Sequence, residues 1–265
     1  MHAVTQKPLL EHLLELRQRL IYSLLVLGLA VGVSYPFAPM LFQFLTEPLW
    51  HAMGEEAGRR LIYTGLTEAF LTYLKLSFFA GFMLAFPYLL WQAWMFVGPG
   101  LYDHEKRAIW PTLIASPLLF LVGAALAYYV VCPWAWQFFL SFEIQPSSQG
   151  LSLQLEARMS EYLSLMIKLV TAFGVCFQLP LILLGLAKLG VLSLESLKRQ
   201  RKYAFLIIII VAALITPPDL ISPLSLIFPL YTLYEISIIL VKVSLKQKGL
   251  NRVGHQMDSG KSGSF

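Results

Sequence analysis

The chain has 265 residues, of which 57% are hydrophobic and only 13% charged, and its mean hydropathy is +0.67. Soluble domains carry roughly 25% charged residues, so composition excludes an ordinary soluble fold and points to an integral membrane protein. The net charge of +5 follows the membrane sides along the chain and gives no reason to invoke a nucleic acid.

Six apolar runs follow one another, at about 20–37, 69–97, 109–133, 160–187, 203–216 and 221–241. A helix needs about 20 residues to cross a ~30 Å hydrocarbon core. Four runs meet or approach that length. The fifth, "YAFLIIIIVAALIT", falls short, and Pro223 and Pro229 interrupt the sixth. Only "PPDL" separates the two, so they form a short hairpin that thins the bilayer or sits off-centre in it. No A-x-A-like cleavage site follows the first run and five more runs come after it, which argues against a cleaved signal peptide. The expected architecture is an all-α integral membrane protein of six transmembrane helices with short helices 5 and 6. Residues 1–250 form its membrane domain, and the Gly/Ser-rich stretch 251–265 forms a disordered cytoplasmic tail.

Orientation follows from the basic residues. Fifteen of the twenty Lys and Arg lie before the first run, between the second and third, between the fourth and fifth, or after the sixth. The opposite side holds Arg59, Arg60 and Arg158, while Lys75 and Lys168 fall inside runs. By the positive-inside rule both termini are cytoplasmic. The first outer loop, about 38–68, is largely apolar and shaped by Pro36, Pro39 and Pro48, so it lies on the outer membrane surface or caps the bundle. The second outer loop is more polar and ends in a helix-capping pattern before the fourth run.

Enzyme chemistry finds no foothold. "HEKRA" at 104–108 starts like a zincin but has alanine in place of the second histidine. There is no GxSxG elbow and no P-loop. Cys132 and Cys176 have no metal-ligand spacing and are read as packing thiols, so no metal or cofactor is expected.

Polar chemistry remains at the cytoplasmic edge and inside the runs. "HLLELRQR" at 12–19 sets Glu15 among cations, and Glu105 lies in a second basic segment. Glu15 suits an i,i+4 pair with Arg19, worth about 0.2–0.5 kcal/mol, and Glu105 suits a solvated loop charge. Alternatively the two carboxylates form a site for a cationic ligand, and bidentate geometry favours arginine over lysine. Glu11 is read as a solvated helix charge. Intramembrane charge is a functional candidate by default. Lys75 lies near the outer end of the second run, where a lysine can snorkel. Lys168 is deeper in the fourth run, and Glu235 in the sixth is a candidate partner for it.

"PLLEHLLELRQRL", "FVGPGLYDHEKR", "YLSLMIKLVTAFGVCFQLP" and "TPPD" together resemble the TatC family, the multi-spanning receptor subunit of the twin-arginine (Sec-independent) protein translocase. The resemblance runs from about Pro8 to about Lys248. It implies a non-enzymatic protein of the bacterial inner membrane that binds twin-arginine signal peptides of folded proteins. Such a protein assembles with the single-span subunits TatA and TatB and with copies of itself in the lipid bilayer, and transport is driven by the proton motive force. The family's signal-binding positions fall on Glu15 and Glu105, flanked by Arg17 and Phe96. Other functional positions of the family fall on Pro48 in the first outer loop and on Asp219 in "TPPD", while Gln178 departs from the family and keeps a polar docking role. Many relatives carry glutamate where this chain has Gln178, which hydrogen-bonds but does not titrate, so a protonation switch is not implied there. Thr216 fits either a contact with a partner's helix or back-bonding to its own.

In an extended peptide, successive side chains point to opposite faces, so paired arginines call for carboxylates on two walls. Glu15 and Glu105 come from separate segments and fit that demand. Two rival classes are a secondary transporter and a scaffold for single-span partners. A transporter would suit broken helices with midplane polar groups, but no internal repeat is visible. A scaffold would not need Glu15 and Glu105.

Overall fold

The computed structural model describes residues 9–54, 60–97, 109–143, 155–188, 190–215 and 221–261. Nearly all of them are helical. Among the described residues the one extended pairing is an isolated parallel bridge between Ile62 and Arg158. Among the described residues, five stretches are long and apolar enough to cross a membrane. The chain divides into two compact units, residues 1–171 and 172–265.

The first unit begins with α1 (Leu9–Ser34), a 3₁₀ turn (Tyr35–Phe37) and α2 (Ala38–Met53). Pro36 and Pro39 fall in the first turns of the latter two, where a missing N–H costs nothing. Gly54, at φ 74°, ends α2 in a conformation other residues resist. This α2 is the apolar loop anticipated over 38–68. It buries Ala38, Leu45, Pro48, Leu49 and Met53 against the rest of the unit, as a cap would.

Next come α3 (Glu68–Val97), α4 (Ile109–Leu126), a π turn (Ala127–Val131), α5 (Cys132–Leu140) and α6 (Met159–Cys176), which runs on into the second unit. The π turn ends two residues before Pro133, whose absent N–H breaks the regular helical ladder. Two devices hold the unit together. At one end, Glu68 Oε2 accepts the Thr64 N–H at 2.9 Å and the Gly65 N–H at 3.2 Å, while its Oε1 accepts the Ser160 hydroxyl at 2.6 Å. Beside it, the Ile62 N–H donates to Ala157 O and the Met159 N–H to Ile62 O, tying the start of α3 to the start of α6. Along the helices, α1 packs on α3 so closely at Gly81 that a Cβ there would lie 2.6 Å from Val31 Cγ2.

The second unit contains the end of α6, then α7 (Leu179–Lys188), α8 (Leu194–Arg199), α9 (Arg201–Ile215) and α10 (Ile221–Lys261). Pro180 explains the break between α6 and α7, because it cannot donate a helical hydrogen bond. Gly190, at φ 76°, terminates α7, and Ser193 caps α8 by accepting the Ser196 N–H. Leu226, Leu230 and Val241 of α10 are fully buried, and the Tyr234 hydroxyl donates to Leu197 O at 2.7 Å, pinning α8 to α10. The 15 residues of α9 rise only about 22 Å, less than a ~30 Å core, as expected for a short fifth span.

Two expectations about the sixth run change. Pro223 and Pro229 do not interrupt α10, which is continuous. Pro223 sits in its first turn, and an internal proline is tolerated in a membrane helix whose neighbours satisfy the freed carbonyl. The helix also extends to Lys261, through most of the stretch whose composition suggested disorder, since propagating a formed helix is far easier than starting one.

Candidate functional site

The antiparallel pairing of α1 and α3 that closes on Gly81 fixes which residues meet at its far end. Twelve residues before Val31 in α1 is Arg19, and eleven after Gly81 in α3 is Gln92. Arg19 donates from Nη1 to Gln92 Oε1 at 3.1 Å. It also donates from Nε at 3.1 Å and from Nη2 at 2.6 Å to Glu15 Oε1. Gln92 in turn donates from Nε2 to the Tyr88 hydroxyl at 2.7 Å. The result is a chain of four polar side chains, Glu15–Arg19–Gln92–Tyr88, bridging two helices. The Glu15 and Arg19 side chains are only 21% and 20% exposed, so their attraction is less screened than that of a surface pair.

One turn before Glu15, the His12 ring stacks on Phe96 with centroids 4.2 Å apart and 17° between planes. Tyr88, Gln92 and Phe96 recur every four residues and so share one face of α3. His12 and Glu15 share a face of α1 at i,i+3 spacing. Glu11 and Arg17 are exposed on α1. Chemically this end presents an oriented carboxylate beside an aromatic stack, a combination suited to a guanidinium that pairs with the one and lies on the other.

Of the residues singled out by sequence, Glu15 and Phe96 therefore lie at the same end, Phe96 stacked on His12 one turn before Glu15, and Arg17 is exposed on the same helix. Glu105, Thr216 and Asp219 lie outside the described residues. The Arg19 pairing that spacing offers for Glu15 is present. Pro48 is buried within α2, and Gln178 is 5% exposed at the α6–α7 break, where its carbonyl accepts from the Leu181 and Ile182 N–H groups. The partnership of Lys168 with Glu235 is not what forms. Glu235 pairs with Arg201 at 2.7 Å and accepts the Tyr231 hydroxyl at 3.1 Å, because α9 brings Arg201 against α10. Lys75 and Lys168 instead line one groove of the first unit. Sequence reading passed over His12, Gln92 and Tyr88. The four-residue spacing of Tyr88, Gln92 and Phe96, and of Glu15 and Arg19, was the available signal.

The sequence model of one family, Sec-independent protein translocase protein (TatC), matches residues 11–229. The chain belongs to the TatC family. A relative from Desulforapulum autotrophicum, named Sec-independent protein translocase protein TatC, is 46% identical over 243 residues, covering 92% of this chain and 87% of the relative. The Escherichia coli K12 protein of the same name is 34% identical over 246 residues, with 93% and 92% covered. The fold is similar to the crystal structure of the twin arginine translocase receptor TatC, with a TM-score of 0.77 and 38% identity over 88% of this chain and 99% of that one. The family consists of protein translocase components, a transport class and not an enzyme class.

Proposed function

We propose that this chain is the signal-peptide receptor subunit of a twin-arginine protein translocase in a bacterial inner membrane, with both termini cytoplasmic. The observation that carries the reading is the half-buried Glu15 carboxylate, held in place from α1 and α3 by Arg19 and Gln92 beside the His12–Phe96 stack. One arginine of an extended signal peptide pairs with Glu15 and lies toward Phe96. The next points the other way and pairs with Glu105, with Arg17 nearby limiting where further positive charge can sit. Gln178, Thr216, Pro48 and Asp219 serve contacts with the single-span partners TatA and TatB or shape the helices that make them. The proton motive force drives transport of the folded cargo.

Binding of a twin-arginine peptide and its twin-lysine counterpart to the full chain in nanodiscs tests this reading. Arginine should be preferred by about tenfold or more, and Glu15→Gln and Glu105→Ala should each weaken binding ten- to a hundredfold, the loss of one charge-assisted contact of about 1.5–3 kcal/mol. Equal binding of both peptides, or indifference to both substitutions, would leave the scaffold reading standing instead.

A further inference from the structure

At the opposite end of the first unit, α1, α3 and α6 enclose an open groove of about 700 Å³. Its wall is apolar, formed by Leu71, Leu74, Phe78 and Phe82 of α3, Leu27 of α1 and Ile167 of α6. Two lysines also line the groove, Lys75 from α3 and Lys168 from α6, each contributing a stem that carries an ammonium group. Both lysines are exposed, and among the described residues neither pairs with a carboxylate. A cation inside a membrane span is expensive unless it finds an anion or reaches the interface. Two on one groove ask for an anionic occupant.

Depth and size say which. The Glu68 cluster, with Thr64, Arg158 and Ser160 around it, marks the polar interface at this end. Lys75 lies seven residues into α3 and Lys168 nine residues into α6, about 10 and 14 Å below those helix starts at 1.5 Å per residue. Their four-carbon stems can carry the charge back up toward headgroup level. On α3 the groove reaches from Leu71 to Phe82, about 16 Å, and one leaflet of a ~30 Å core is about 15 Å deep. Its volume lies within the roughly 300–1,000 Å³ of small-ligand sites, whereas a ~10 Å-wide helix spanning ~30 Å displaces on the order of 2,000 Å³.

We propose that this groove binds an anionic phospholipid from the leaflet at the Glu68 end. One acyl chain lies along Leu71, Phe78 and Phe82, and the phosphate lies between Lys75 and Lys168. The two non-ester oxygens of the phosphate provide one acceptor for each ammonium. The site is remote from the Glu15 end and does not depend on the signal-peptide reading.

Native mass spectrometry of the full chain, with phosphatidylglycerol and phosphatidylcholine of identical acyl chains, tests it. Phosphatidylglycerol should be retained about tenfold better. The Lys75→Gln/Lys168→Gln pair should bring the two lipids to parity, and Lys75→Arg/Lys168→Arg should keep the preference. Ser164→Trp, which fills the groove and leaves both lysines, should lower retention of both lipids, and soluble glycerol phosphate should not compete. Equal retention of the two lipids by the unmodified chain, or a preference surviving in the glutamine pair, overturns the proposal. So does competition by glycerol phosphate, which would make the site one for a free phosphate. A photoreactive residue at Phe78 that captures protein and no lipid in native membranes would give the groove to a partner helix, and would equally overturn it.

Discussion

The Tyr128 hydroxyl donates a 2.6 Å hydrogen bond to the carbonyl of Phe44, the residue four before Pro48 in α2. In an unbroken helix that carbonyl would accept the N–H of residue 48, and proline has none. The π turn at Ala127–Val131 aims Tyr128 at the vacant acceptor, and its ring stacks on Phe44 at 4.6 Å and 3°. A second tyrosine, Tyr162 of α6, donates to the neighbouring Leu45 carbonyl at 2.7 Å. Pro48 thus has a structural part inside the first unit, whatever else it contacts.

Tyr128→Phe should then lower stability by about 1 kcal/mol, the cost of leaving a part-buried acceptor unpaired. In a Pro48→Ala background, which restores the helical N–H, the same substitution should cost less by about 1 kcal/mol. Thermal unfolding of the four proteins of this cycle measures the coupling. Strict additivity would show that Tyr128 does not serve the proline-freed carbonyl.

At the other end, Arg19 joins Glu15 to Gln92, and its planar fork serves both acceptors at once. Lysine is a point charge and cannot span them. Arg19→Lys should weaken twin-arginine peptide binding about threefold to tenfold, less than Glu15→Gln, because it misplaces the carboxylate without removing it. Gln92→Leu should act in the same direction with a smaller effect. Peptide affinity in nanodiscs decides the order, and a larger loss for Gln92→Leu than for Glu15→Gln would make the relay, not the carboxylate, the reader.

Much of this was legible in the sequence because membrane helices announce themselves by length and hydropathy. The six runs, the short α9 and the apolar cap α2 all follow from that signal, and the family follows from four quoted motifs. Pairings between helices were harder to read. Depth in the membrane pairs Glu235 with Lys168, but α9 supplies Arg201 instead, because depth alone does not say which helix is the neighbour. The polar relay was half visible, since i,i+4 spacing gives Glu15–Arg19, while the α1–α3 register that delivers Gln92 depends on Gly81. Nothing local distinguishes Gly81 from Gly28 or Gly32. Pro229 misled in the other direction, because a proline signals a break on its own and the surrounding helices decide whether the helix continues.

Glu68 offers a contrast among isosteres. Its two oxygens accept from Thr64, Gly65 and Ser160 and pair with Arg158 at 3.4 Å. Glu68→Gln keeps one acceptor and adds donors facing donors, whereas Glu68→Ala removes both acceptors. Both should lower the melting temperature, with Ser160→Ala milder than either, since it removes one contact and leaves the rest. Hydrogen exchange at the Ile62 and Met159 amides should rise in parallel, because the same junction holds their bonds. Unchanged protection at those amides in Glu68→Ala would separate the carboxylate from the junction.

The α1–α3 contact can be tested by adding a single methyl group. At Gly81 a Cβ would meet Val31 Cγ2 at 2.6 Å and the Val31 Cα and backbone N at 2.7 Å. A flexible side chain could move aside, but backbone atoms move only if the helices part. Gly81→Ala should therefore destabilise by about 1–3 kcal/mol, in the range of overpacked cores. Val31→Ala should fail to rescue it, because the clashing Cα and N remain. Gly32→Ala has nothing within 4 Å of the added Cβ and should be neutral or stabilising by up to about 1 kcal/mol through helix propensity. Because Gly81 also sets the register that brings Gln92 to Arg19, Gly81→Ala should weaken peptide binding while Gly32→Ala leaves it unchanged. Thermal unfolding and peptide titration of the two variants read both effects. Equal behaviour of the two glycines would mean that the α1–α3 approach is not what holds the far end together.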